Sequence, residues 1–141
     1  MRLQLALNVA DLEAAVDFYT RMFGTEPARR RPGYANFAID EPPLKLVLFE
    51  AASDATDAAG CCGAGGTVNH LGVEAETAEQ VVEAERRLTA AGLDTTGVDD
   101  TLCCYATKTE TWLTDPDGSR WEWYVRTGDS EVLDNVVVAW R

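Results

Sequence analysis

Apolar and polar residues alternate along "LQLALNV". Leu3, Leu5, Leu7 and Val9 fall on one face and Gln4, Ala6 and Asn8 on the other, which predicts a strand with one buried face. Asp11 follows at an N-cap position. "LEAAVDFYTRMF" then carries Leu12, Ala15, Val16, Tyr19, Met22 and Phe23 at helical spacing before Gly24, so a helix is expected there. "YANFAI" and "LKLVLFE" read as two strands on either side of the turn "DEPP", with room for a further short strand between Pro27 and Arg31. From Ala51 to Gly66 the composition changes to Ala, Gly, Asp and Ser, the signature of a linker or long loop.

The pattern then restarts. "VNHLGVEA" alternates again, and "TAEQVVEAERRLTAAG" offers a capping box in Thr77 and Gln80 and a closing glycine in Gly92. After a cysteine-bearing segment come "ETWLT", the turn "DPDG" and "SRWEWYV". Laying the first unit on the second pairs Gln4 with His70 (70 − 4 = 66) and Val47 with Glu122 (122 − 47 = 75), an internal repeat at the level of the fold. The chain therefore divides into module one (about 1–50), a linker (51–67), module two (about 68–126) and a tail (127–141) within a single domain, as a length of 141 residues suggests.

The polar faces carry the candidate chemistry. His70 is the chain's one histidine and alternates with Leu71 and Val73, while Glu122 lies opposite Trp121 and Trp123. If helices cover the apolar faces, Gln4, His70 and Glu122 point to the other side of the sheet. They are then either a facial set of metal ligands, like that of non-haem Fe(II) oxygenases, or satisfied polar residues of a sheet, and spacing alone leaves both open.

Cys103 and Cys104 in "DDTLCCYATKT" pose a similar choice between a functional thiol pair and two half-buried small residues. Adjacent residues suit a disulfide poorly, because their Cα atoms stand about 3.8 Å apart whereas disulfides usually span about 4.4–6.8 Å. A second pair, Cys61 and Cys62, falls in the linker, where adventitious exposure or capture of a soft metal is the favoured reading.

Composition narrows the partners. A formal charge of −12 and a pI of about 4.3 would repel a nucleic acid backbone. The basic run Arg29, Arg30 and Arg31 reads as solvated surface. No leader-like segment or membrane-length apolar run is evident, so a cytoplasmic, reducing setting is expected, where cysteines bind metals or react more often than they pair. Val136–Trp140 could cover a sheet edge, join a dimer or fray.

A duplicated β-α-β-β-β unit with His at the start of its second copy and Glu in "RWEWY" near its end resembles the vicinal oxygen chelate superfamily of glyoxalases, bleomycin resistance proteins and extradiol dioxygenases. The resemblance runs from Leu3 to about Val125. It implies an α+β fold in which two paired βαβββ modules form a cup-shaped mixed sheet with helices outside. Metal would sit inside on Gln4, His70 and Glu122, with Val47 leaving the fourth family position empty. "LQLALNVADLEAAVDFY", "PGYANFAI", "PPLKLVL", "NHLGVE", "CCYAT" and "WEWY" together look like the organoarsenical carbon-arsenic lyases and the cadmium-induced proteins.

That likeness implies Fe(II) and dioxygen as reactants at Gln4, His70 and Glu122, and a trivalent organoarsenical held by Cys103 and Cys104. An amide ligand is weaker than an imidazole, so Ni(II), Co(II) or Mn(II) could replace iron in preparations. Two soft thiolates match the two exchangeable positions of a monoorganic As(III) centre, and the second bond forms intramolecularly. No side chain is nominated as a general base. The segment from about Asp94 to Thr109 is expected to be a mobile loop that closes over the metal. A monomer or a homodimer is compatible with the fold. The rival expectations are a non-catalytic protein that sequesters cadmium or arsenic, and a glyoxalase-like or extradiol enzyme with dispensable thiols.

Overall fold

The computed structural model describes residues 1–50, 67–103, 105–131 and 136–140. The linker with Cys61 and Cys62, and also Cys104, lie outside the described residues. Module one contains β1 (Arg2–Val9), α1 (Leu12–Phe23), β2 (Arg29–Arg31), β3 (Tyr34–Ile39) and β4 (Leu44–Glu50). Module two contains β5 (Val68–Glu74), α2 (Ala78–Ala90), β6 (Asp99–Cys103), β7 (Ala106–Thr114) and β8 (Arg120–Asp129), with β9 (Val136–Trp140) after it.

The helices start and stop where side-chain chemistry dictates. Asp11 accepts a hydrogen bond from the Ala14 amide at 3.0 Å, and Gly24 ends α1 in the left-handed region at φ 63°. Thr77 and Gln80 form the reciprocal capping box of α2. Leu12 and Val16 of α1 pack on Leu7, Ala35, Phe37, Ile39, Leu46 and Leu48, the outward faces of β1, β3 and β4. Each large apolar side chain buried there contributes about 1.5–3 kcal/mol relative to exposure.

The strands form one mixed sheet in the order β2-β3-β4-β1-β5-β8-β7-β6-β9. β1 runs parallel to β4, β5 runs parallel to β8, and the antiparallel pair β1–β5 joins the two halves. Each half thus repeats one plan, and the sheet curls into an open cup with the helices outside.

Register decides what the cup encloses. Gln4 is paired with Gly72 and Ala6 with His70, while Glu122 lies beside Gly72 and opposite Trp112. Because directly paired residues share a face, Gln4, His70, Glu122, Lys108, Glu110, Trp112 and Cys103 all point inward.

Two expectations are corrected, and one left open is settled. The segment between 94 and 109 is largely a strand pair, not a loop: Asp99, Thr101 and Cys103 face inward and are buried, and β6 pairs with β7 from Asp99 with Glu110 to Cys103 with Ala106. Alternate burial of Thr and Cys on a curved sheet outweighs the polar, glycine-bearing flanks that suggested a loop. The tail adds β9 to the outer edge of β6.

Arg29 is not simply solvated. It donates to the Tyr105 carbonyl at 3.0 Å and to Asp129 at 2.7 Å, and Arg31 stands 5.8 Å from the Tyr105 ring centre. The edge of module one therefore holds the β6–β7 turn, where Tyr105 adopts φ 60°. Among the described residues no helix is long and apolar enough to cross a membrane.

Candidate metal centre and thiol site

Three inward side chains meet at one point. Gln4 Nε2 lies 2.9 Å from His70 Nε2 and 3.1 Å from Glu122 Oε2, and the last two are 3.2 Å apart. All three residues are buried. Gly72 makes the convergence possible: a Cβ there would stand 3.1 Å from the Glu122 carbonyl oxygen and 3.4 Å from Gln4 Nε2.

The network around the triangle is directional. His70 Nδ1 lies 2.8 Å from Asn69 Oδ1, whose amide nitrogen donates to Asn8 Oδ1 at 3.0 Å. The Asn69 oxygen is therefore the acceptor for an Nδ1 proton, and His70 Nε2 presents its lone pair to the triangle. Asn69 reaches the ring because the β1–β5 register shifts between Ala6 and Leu7, so the chain bulges at this residue. On the other side the Tyr124 hydroxyl donates to Gln4 Oε1.

The charges inside the cup are packed closely. Lys108 Nζ donates to Glu122 Oε1 at 2.8 Å and stands 4.0 Å from Glu110 Oε2. Burial alone would raise the Glu122 carboxyl, but the Lys108 ammonium and the His70 ring hold it well below the usual carboxylate range. Burial and the adjacent Glu122 carboxylate push Glu110 up to about 8. Burial likewise pulls Lys45 down to about 8 against the attraction of Glu74. Burial and then Glu122 push the Tyr124 phenol well above its ordinary range, so it remains a proton donor.

The donor set fits a divalent transition metal. Ligands on one face of an octahedral ion with bonds of about 2.1 Å stand about 3 Å apart, the spacing of the triangle here. One neutral nitrogen, one carboxylate oxygen and one amide oxygen form a facial set compatible with Fe(II). The Gln4 amide presents its oxygen after a half turn, and the Tyr124 hydroxyl can then accept from Nε2 as readily as it donates to Oε1. Among the described residues no cluster of three or more His, Cys, Asp and Glu could hold a metal, so the set depends on the amide.

Cys103 lies in the wall of the same cup. It is fully buried with Ala6, Tyr34, Val47, Phe49 and Trp112, against which Tyr105 packs. Tyr34, Val47 and Phe49 also line a cavity of about 20 Å³ with Gln4, Lys45, His70 and Lys108. Trp112 bridges the two regions, its ring 5.0 Å from that of His70 in an edge-to-face contact. Cys103 is disulfide-bonded, although the sequence favoured a free thiol. The chain's other cysteines lie outside the described residues.

The sequence pattern brought out Gln4, His70, Glu122 and Val47, placed Asn8 and Tyr124 on the same inner faces without giving them a role, and missed Asn69, Lys45, Lys108 and Glu110. Tyr124 shares the face of Glu122 by alternation within β8, whereas the inward parity of Lys108 and Glu110 with Trp112 becomes attachable to Glu122 once the β7–β8 register is known. Asn69 had the wrong parity, and the bulge supplies what alternation could not.

A cup of two βαβββ modules with a polar triangle between their central strands is the architecture of the vicinal oxygen chelate fold. The chain belongs to the glyoxalase/bleomycin resistance protein/dioxygenase superfamily, whose pattern it matches over residues 3–123. It is 53% identical over 94% of its length to the trivalent organoarsenical cleaving enzyme of Thermomonospora curvata, covering 82% of that protein. It is also 54% identical to the cadmium-induced protein CadI of Mycobacterium bovis, over 94% of this chain and 80% of that one. The fold is similar to that of the Mn(II)-bound glyoxalase from Novosphingobium aromaticivorans, with a TM-score of 0.59 and 20% identity over 92% of this chain and 40% of that one.

Proposed function

We propose that this protein cleaves the carbon-arsenic bond of trivalent organoarsenicals in an Fe(II)- and dioxygen-dependent reaction. The observation that carries the reading is the pairing of a facial Gln4, His70 and Glu122 set with a cysteine in the wall of the same cup. The identity to the Thermomonospora curvata enzyme supports the substrate class.

In this reading Cys103, once reduced, and Cys104 together hold the arsenic as a dithiolate. The organic group then faces the cavity beside His70, where Tyr34, Val47 and Phe49 exclude water. Asn69 keeps the His70 lone pair toward the metal position and Tyr124 steadies the Gln4 amide. Iron held by Gln4, His70 and Glu122 supplies the activation of dioxygen. With a methyl substrate, methylarsonous acid and dioxygen become formaldehyde and arsenous acid, a balance that needs no external reductant. Arsenic stays trivalent, the methyl carbon is oxidised, and both oxygen atoms enter the products.

The test is anaerobic loading with Fe(II) followed by oxygen and methylarsonous acid, with formaldehyde and inorganic As(III) measured as products. Turnover that is lost in both Cys103→Ser and His70→Ala is expected. Stoichiometric arsenic binding without oxygen-dependent products would instead make the protein a thiol sequestrant, the reading that its identity to cadmium-induced proteins keeps in view.

A further inference from the structure

Glu122 divides its two oxygens between different partners. Oε2 closes the triangle with Gln4 and His70, whereas Oε1 accepts from Lys108 Nζ at 2.8 Å. The lysine is nearly as buried as its partner, with Lys108 5% and Glu122 0% exposed. An ammonium at such depth needs compensation on several sides. It has the Glu122 carboxylate and the face of the Tyr124 ring 4.9 Å from its centre, with Glu110 Oε2 standing 4.0 Å away. A surface lysine that had merely drifted inward would not be enclosed in this way.

The position has two consequences for any cation at the triangle. A charge-assisted hydrogen bond occupies Oε1, so only Oε2 is left to ligate. The ammonium also faces the cation across a single carboxylate, where like charges repel strongly in a poorly solvated interior.

We propose that Lys108 is a positioning residue that keeps Glu122 a one-oxygen ligand and holds down the affinity for divalent cations, leaving the remaining coordination positions to the reactants. The inference rests on the reading of Gln4, His70 and Glu122 as the metal-holding set. It accounts for a feature that set alone leaves unexplained, which is a buried cation beside the carboxylate meant to hold a cation. Weak loading is the cost and open positions are the gain.

The test uses Mn(II) with the full-length chain, reading affinity from the free-ion electron paramagnetic resonance signal and bound water from proton relaxivity. Lys108→Met keeps the length and apolar stem but removes the charge. It is expected to bind Mn(II) at least about tenfold more tightly, and with lower relaxivity, because the second carboxylate oxygen displaces a water. A purely structural role would lower the affinity or leave it unchanged, and either result in a protein with a native-like unfolding midpoint overturns the proposal. If Lys108→Met does not fold, Lys108→Gln carries the same expectation for affinity. His70→Ala runs in parallel: if it binds Mn(II) as the wild type does, the metal reading itself fails, whatever Lys108 does.

Discussion

Replacing Asn69 by alanine would test how the triangle is oriented. The Asn69 side chain is buried, and its Oδ1 lies 2.8 Å from His70 Nδ1. Alanine removes that acceptor and strands a ring N–H in an interior site. Leaving such a donor unpaired costs about 1–3 kcal/mol. The imidazole can avoid the cost by moving its proton to Nε2, where Glu122 Oε2 at 3.2 Å would accept it. That tautomer has no lone pair left for a metal.

By either route metal affinity should fall, and partners of this kind are typically worth about 10–100-fold, in keeping with the energy above. Asn69→Asp keeps an oxygen in place and should retain most of the affinity. A Co(II) titration against a competing chelator measures the loss, and ¹⁵N chemical shifts of the ring report the tautomer. If Asn69→Ala bound Co(II) within about twofold of wild type and left the tautomer unchanged, the proposed orientation of His70 would be wrong.

Other substitutions probe the surroundings. Gly72→Ala places a methyl 3.1 Å from the Glu122 carbonyl oxygen, a backbone atom that cannot move aside freely. Its urea midpoint should fall by the equivalent of about 1–2 kcal/mol, and metal affinity should fall with it. Lys45 is pulled from 10.5 to about 8 by burial. Between those values the unfolded chain keeps a proton that the folded chain has released, so wild-type stability rises with pH there, and the cost of the charge is fully present below about pH 8.

Lys45→Met should therefore be more stable at pH 7 by up to about 3 kcal/mol, less what Glu74 loses as its partner. The gap should close toward pH 10, and urea midpoints at both pH values that differed equally would contradict this. Arg29→Ala removes the donor to the Tyr105 carbonyl and an ion pair with an exposed Asp129. Amide exchange around Tyr105 and Ala106 should speed up while global stability drops by only about 1 kcal/mol.

Local physics accounts for much of what the chain shows. Alternation in "LQLALNV" and "NHLGVE" and the caps at Asp11 and Thr77 place strands and helices within a residue or two, because burial of one face and satisfaction of helix-end amides are short-range demands. The repeat, with its pairing of Gln4 to His70 and Val47 to Glu122, made the inner face readable before any coordinates. The cysteine segment was misjudged because its flanks look like loop, and its strand character comes from neighbours distant in sequence. Among the inward residues, Lys108 and Glu110 could not be attached to Glu122 without the β7–β8 register.

By itself, then, the sequence determined the first strand and the helix of each module, the net negative charge and which face of β1, β5 and β8 holds the polar residues. Tertiary structure alone decided that Gln4, His70 and Glu122 meet within 3.2 Å, that Lys108 takes one carboxylate oxygen, and that a bulge turns Asn69 onto the histidine ring. The division follows from the physics. Side-chain period and capping act over a few residues along the chain, whereas register, bulges and the pairing of buried polar groups arise between residues up to 120 apart in sequence and exist only once the cup has closed.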